Sequence, residues 1–309
     1  MRYLSEDQSS SLISHELAYD AVKAAFIAAA TGEGTVFPAV SAHAADSTHT
    51  FSVKSGSAPG YAGVKLGSYW PSNDALGIPR HGTTIILLDQ ATGHLAAAVE
   101  AAQVNAYRTA AADAVAADAL ARRDARTLTV FGNGHQALYE CLALVRIRPI
   151  ERINVVARAP ARGQGFVAEL AARGFNAHLA DARSACEAAD IITCATASRG
   201  PLFNADWVRP GTHVVSMGSD TRGKQELPPD LFSRARLFCD LPAQAVEIGE
   251  FQHICDLVAD GSLAVTAIGA VLTGAAEGRS SREEISVFDS SGIALQDLAV
   301  ATALLRLTS

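Results

Sequence analysis

Apolar and polar positions follow two different rhythms along the chain. "HELAYDAVKAAFIAAATGEG" carries apolar residues at helical spacing, with Gly32 placed to end the helix. "TFSVKSG", "YAGVKLGSYW" and "GTTIILLD" are short runs bounded by Gly, Pro, Asn and Asp, the signature of strands. "DQATGH", between "TIILLD" and "LAAAVE", predicts a hairpin turn. "VEAAQVNAYRTAAADAVAADALARRD" is strongly helical, with Asn105 a candidate cap for a second helix, which would put Arg108 and Thr109 near a helix start.

From residue 127 the rhythm changes. The apolar runs "TLTVFG", "RINVVAR", "FNAHLA", "DIITCAT", "THVVSMG" and "RLFCDL" alternate with helical segments. Such alternation predicts a parallel sheet covered on both faces. "ISVFDSSG" adds one more strand and "GIALQDLAVATALLRL" a final amphipathic helix. The fold class expected is α/β: a Rossmann-type doubly wound parallel sheet over residues 111–285, plus a second, α+β domain over residues 1–110. The last helix is expected to pack back on the first part.

The 309 residues allow a sizeable core and more than one domain. A net charge of -7 argues against a nucleic-acid footprint, which needs clustered Lys and Arg. No run of 18 apolar residues suggests a membrane span, and "MRYLSEDQSS" lacks the regions of a signal peptide. Cys141, Cys186, Cys194, Cys239 and Cys255 form no CxxC pair, so neither a disulfide framework nor a zinc site is expected. They read as reduced thiols of a cytoplasmic protein, and no metal is expected.

The stretch "FGNGHQA" joins the first strand of the alternation to a helix as G-x-G-x-x-A, the dinucleotide fingerprint. Gly132 would make the tight turn, Gly134 would let the pyrophosphate approach, and Ala137 would allow close helix–strand packing. Asn133, His135 and Gln136 of the same turn, with Thr196 at the end of "DIITCAT", complete the candidate cofactor contacts. An NAD site places an acid at the tip of the second strand. Here "INVVARAPARG" offers Arg158 and Arg162 instead, so NADP(H) is expected in preference to NAD(H), with NAD(H) left open.

Three polar residues stand out. Lys65 lies in a strand among apolar neighbours, where a lysine is costly unless paired or working. Arg108 precedes the dinucleotide domain. Asp220 follows the fifth parallel strand, at the sheet edge where open α/β folds bind ligands. Each also has a structural reading: an edge-strand charge, an exposed helix residue, a turn cap.

Together, "GVKLGSYWPSN", "YRTAAADAVAADALA", "VFGNGHQA", "WVRPGTHVVSMGSD" with "GKQEL", and "FDSSGIALQDLAVA" resemble the ornithine cyclodeaminase/mu-crystallin family over most of the chain and in the right order. The resemblance implies a homodimer with a Rossmann domain (111–285) and a substrate-binding and dimerisation domain built from 1–110 with 286–309. It implies that Lys65 contacts substrate near the nicotinamide, that Arg108 binds a substrate carboxylate, and that Thr109 binds pyrophosphate. It further implies that Asp220 is the catalytic aspartate and that Ser291 and Gly292 lie near the nicotinamide; to give a proton at neutral pH Asp220 would need a raised pKa, as burial in a closing cleft would supply.

Two departures weigh against ornithine cyclisation. "VFPAVSAHAAD" lacks the early arginine of many members, and "FSVKSG" replaces a Met-Pro-Ala-like segment. Lys54, or His43 or His81, would then serve as anion partner. The chain looks closest to members that reduce imines of amino acids, such as those acting on iminosuccinate, where a second carboxylate would give Lys54 and Arg108 separate targets. The expected partner is thus a small amino or imino acid. Ornithine cyclodeaminase, and an NADPH-dependent small-molecule binding role like that of mu-crystallin, are the alternatives.

Overall fold

The computed structural model describes residues 1–308. The chain divides into two compact units, Met1–Arg108 with Ile293–Ser309, and Thr109–Gly292.

The first unit is built on a mixed sheet. Its strands are β1 (Arg2–Leu4), β2 (Thr35–Val36), β3 (Val40–His43), β4 (Thr50–Ala58), β5 (Tyr61–Tyr69), β6 (His81–Leu88) and β7 (Leu95–Glu100). The order is β1-β7-β6-β5-β4-β2, with β3 also on β4. All pairs are antiparallel except β1 with β7. The expected strands and hairpin are present, and Asp89 holds the turn by accepting from the Ala91 and Thr92 amides. The unit also contains helices α1 (Glu6–Leu12) and α2 (His15–Thr31), the latter ended by Gly32 in the left-handed region as expected. β1 and α1 are too short to show a period in the sequence.

Helix α3 (Ala102–Leu120) carries the chain from the first unit into the second. It is continuous, which corrects the reading of Asn105 as a cap. The Asn105 Oδ1 accepts from Lys65 and Arg108. Arg108 and Thr109 therefore lie inside the helix, not at its start.

The second unit holds eight strands, all parallel: β8 (Thr127–Phe131), β9 (Arg152–Val156), β10 (Ala177–Leu179), β11 (Ile191–Cys194), β12 (His213–Ser216), β13 (Ala235–Cys239), β14 (Val265–Ala267) and β15 (Ile285–Asp289). Their order is β10-β9-β8-β11-β12-β15-β13-β14. Every residue of β11, β12 and β15 is buried, as expected of strands covered on both faces. Covering helices include α4 (His135–Ile147), α5 (Pro160–Ala172) and α6 (Ala182–Ala188). The sheet grows one way through β8, β9 and β10, then resumes on the other side of β8 with β11. The crevice above β8 and β11 is the switch point where such sheets take ligands.

β15 hydrogen-bonds between β12 and β13, so Ser286–Gly292 group with this unit and not with the first part as expected. After the short helices α7 (Pro242–Ala245), α8 (Cys255–Ala259) and α9 (Ile268–Leu272), the last helix, α10 (Ala294–Leu307), returns to the first unit and packs on α2, β4, β5 and β6. Among the described residues no helix is long and apolar enough to cross a membrane.

Candidate active site

At the switch point, the glycine turn has the conformation the fingerprint needs. Gly132 sits at φ 114°, and a Cβ there would lie 2.6 Å from the Ala195 carbonyl oxygen. Only glycine takes that position without displacing backbone. Gly134 begins α4, has no side-chain cap on that helix, and faces open space where a Cβ would point. The amides of Asn133 to Gln136 and the positive end of a 13-residue helix thus border an open cradle that suits a pyrophosphate. Ala137 is fully buried, as close helix–strand packing requires. The His135 ring packs at a tilt against Tyr139. Gln136 donates to Glu140, which adjoins Asp113; Asp113 in turn accepts from Thr193. Burial pushes the Asp113 carboxyl up to about 7. At the tip of β9, Arg158 and Arg162 are exposed.

A second buried acid orders the same edge of the sheet. Glu226 accepts from the Thr196 amide (2.6 Å) and hydroxyl (2.7 Å), the Gly218 amide (2.8 Å) and the Ser216 hydroxyl (2.8 Å). It ties the loop after β11 to the loop after β12. Thr196 thus commits both its donors to Glu226. A Cβ at Gly218 would meet the Thr196 carbonyl at 2.0 Å, so this approach needs glycine. Glu250 supports the arrangement, accepting from the Glu226 and Leu227 amides.

Asp220 lies four residues beyond β12, at the sheet edge. It is exposed, and its Oδ1 accepts from Lys224 Nζ at 2.6 Å. The turn from Thr221 to Lys224 brings that ammonium back to it. Ser291 and Gly292 follow β15, pinned by Asp240, which accepts from the Ser291 hydroxyl (3.3 Å) and the Gly292 amide (2.6 Å), and by Gln244. Thr109 is buried on α3 beside Arg108 in sequence.

The first unit brings together the other expected residues. Lys65 on β5 lies directly opposite Lys54 on β4, on the sheet face that α10 covers. Lys65 Nζ is 2.9 Å and Arg108 Nε 3.0 Å from the same oxygen, Asp297 Oδ1 on α10. Arg108 also donates to Asn105 (2.8 Å) and to Gln296 (3.2 Å). Lys65, Arg108, Gln296 and Asp297 are all buried. Burial, aided by the charges of Arg108 and Lys54, pulls the Lys65 ammonium down to about 7 against the opposing pull of Asp297. Burial also opposes ionisation of Asp297, but Arg108, Lys65 and Lys54 outweigh it and hold that carboxyl below its usual range.

His43 and His81 do not join this cluster. Both are exposed, at the end of β3 and the start of β6, and the His81 ring packs at a tilt against Tyr69. Asp297, Asn105 and Gln296 were not among the residues expected. Their signal was nonetheless in the sequence: two polar residues interrupt the apolar run of "GIALQDLAVATALLRL", and Asn105 stands one helical turn before Arg108. Among the described residues no group of three or more His, Cys, Asp or Glu side chains is arranged to hold a metal ion.

Known proteins are similar to this chain over nearly their whole length. The iminosuccinate reductase of Paracoccus denitrificans is 36% identical over 99% of this chain and 96% of its own. Its structure in complex with NAD+ matches with a TM-score of 0.91, at 35% identity, over 100% of this chain and 96% of that one. An archaeal alanine dehydrogenase dimer with bound NAD matches with a TM-score of 0.92 at 32% identity, over 99% and 95%. The Thermococcus litoralis Δ1-pyrroline-2-carboxylate reductase, in complex with NADH and L-proline, matches with a TM-score of 0.91 at 27% identity, over 100% and 98%. The family model for ornithine cyclodeaminase/mu-crystallin proteins runs from residue 3 to residue 306, and the chain belongs to that family.

Proposed function

We propose that the protein is a nicotinamide-dependent imine reductase or amino acid dehydrogenase that moves hydride to or from the α-carbon of a small amino or imino acid. The observation that carries this reading is the convergence of Lys65 and Arg108 on buried Asp297. Arg108 donates from Nε and Nη2 to Asn105 and from Nη1 to Gln296, with Nε 3.0 Å from Asp297 Oδ1. The guanidinium fork, with five N–H donors, suits a substrate carboxylate.

The glycine turn fits a dinucleotide, and three relatives are described with NAD, NAD+ or NADH. When bound, the nicotinamide supplies the hydride chemistry. Arg108 fixes the substrate carboxylate. Lys65, whose ammonium titrates near neutrality, donates a hydrogen bond that stabilises charge at the reacting centre. Asp220 exchanges a proton with the substrate nitrogen or with water. Lys54 receives a second carboxylate, which favours a dicarboxylic imine over ornithine. Exposed Arg158 and Arg162, with no acid at the tip of β9, favour a 2′-phosphate and hence NADP(H).

The register places Val40, Phe51, Val53, Val64 and Leu66 on the sheet face opposite Lys65, and Val40, Phe51 and Leu66 are exposed. A second copy of the chain on that face would make the homodimer, the state of the archaeal relative. Buried free Cys141, Cys186, Cys194 and Cys239 suit a reducing, cytoplasmic setting.

The test follows nicotinamide absorbance with NADPH or NADH, a series of 2-oxo acids including oxaloacetate and pyruvate, and ammonia or methylamine. Ammonia-dependent cofactor oxidation supports the reading and names the substrate class. Proline and ammonia formed from ornithine without net cofactor turnover would replace it with cyclodeaminase chemistry. Cofactor binding without turnover of any substrate would replace it with a binding role.

A further inference from the structure

Asp297 has no part in the chemistry above, yet both side chains that chemistry relies on end on one of its oxygens. We infer that Asp297 is a positioning residue: from a single buried carboxylate it fixes the placement of the Lys65 ammonium relative to the Arg108 guanidinium. The inference rests on the proposed reading that Lys65 and Arg108 hold the substrate.

Packing gives no reason for an acid at this place. Its helix neighbours Ala294, Leu295, Leu298, Ala299, Val300 and Ala301 are apolar and buried. Burying a carboxylate costs several kcal/mol before its partners are counted, and buried ion pairs add little net stability compared with apolar side chains of like volume. A leucine would suit the helix's own packing, but it would leave Lys65 and Arg108 without a counter-charge.

The geometry gives a better reason. Contacts of 2.9 Å and 3.0 Å to the same Oδ1 come from two different elements, β5 and α3, so the carboxylate sets their relative position. Asn105 and Gln296 complete the cradle with neutral acceptors. The charged groups acting on Lys65 are Arg108 from α3, Lys54 from β4 and Asp297 from α10, while its partner on β6 is Ile85. Burial and the two cations drive Lys65 towards the neutral amine, and Asp297 opposes them.

The test is the pH profile of kcat/KM in the reductive assay for the parent, Asp297→Asn, Asp297→Glu and Lys65→Arg. The parent should lose activity as pH rises through the Lys65 titration near pH 7, and Lys65→Arg should lack that limb. In Asp297→Asn the limb should move to lower pH by about 1–3 units, the effect of removing one opposite charge in contact. Asp297→Glu should keep the limb where the parent has it but lower kcat, because the longer side chain moves the shared oxygen.

An unmoved limb in Asp297→Asn, with activity lost equally at every pH, would reduce Asp297 to a structural ion pair. Parental kcat in Asp297→Glu would overturn the positioning claim even if the asparagine variant does not fold. If the parent oxidises no reduced nicotinamide with any imine, it is the functional reading that fails; if the parent turns over and the limb stays fixed, only this inference fails.

Discussion

Lys54 and Lys65 stand directly opposite each other across the β4–β5 ladder. Like charges in that relation destabilise a sheet, and here both act on Asp297 together with Arg108. An anionic substrate gives this placement a purpose. Lys54→Met should raise KM for the oxaloacetate-derived imine about tenfold or more, since a hydrogen bond to a charged group contributes ~1.5–3 kcal/mol. KM for pyruvate with ammonia should not change. An equal loss for both substrates would remove Lys54 from recognition of a second carboxylate.

The two turn glycines should fail in different ways. Gly132→Ala forces a side chain onto a left-handed φ and against the Ala195 carbonyl, so its urea midpoint should fall by the equivalent of about 1–3 kcal/mol. Gly134→Ala places its methyl in open space, so stability should match the parent while NADH and NADPH bind more weakly in a fluorescence titration. Parental affinity in Gly134→Ala would take the turn out of the cofactor site.

Asp220→Asn should lower kcat by about 10²–10⁴, the usual contribution of a positioned proton donor or acceptor, with cofactor affinity intact. The ion pair with Lys224 keeps Asp220 accessible rather than buried in this structure, so the result decides between a proton-transfer role and a surface turn. Turnover within a few-fold of the parent would favour the turn.

The buried Glu250 carboxyl is pushed up to about 7, mainly by burial and partly by the Glu226 charge. A carboxyl raised in the folded state binds protons there that the unfolded chain has released, so its contribution to stability is complete below about pH 4.5 and is lost as pH rises to about 7. Tm should therefore decline over that window, and Glu250→Gln should flatten the decline. A parent Tm rising steadily from pH 4.5 to 7 with an unchanged slope in the variant would contradict this assignment.

Much of the architecture was legible because it rests on local signals. β8 to β13 and β15 are apolar runs between helices, and Gly132 marks the strand-to-helix turn by chemistry no other residue supplies. Lys65 was visible as a charge in an apolar strand. What escaped notice depends on distant partners. Asn105 reads locally as a helix cap, and only contact with β5 shows it as an acceptor inside a continuous helix. Asp297 reads as an isolated polar residue until α10 is laid on the sheet, 232 positions along the chain from Lys65 (297 − 65). Glu226 stands within "GKQEL", but its four bonds depend on two loops meeting after β11 and β12. β14, three residues long, is too short to carry a period.

The measurement that tests the central claim most directly follows the hydride itself. NADPH and NADH deuterated at the nicotinamide C4 would be supplied with oxaloacetate and ammonia, then with other 2-oxo acids, and the products examined by mass spectrometry and proton NMR. The account predicts one deuterium on the α-carbon of the amino acid and none elsewhere. Cofactor oxidised with no label at the α-carbon, or ornithine converted to proline while the cofactor pool stays unchanged, would contradict it.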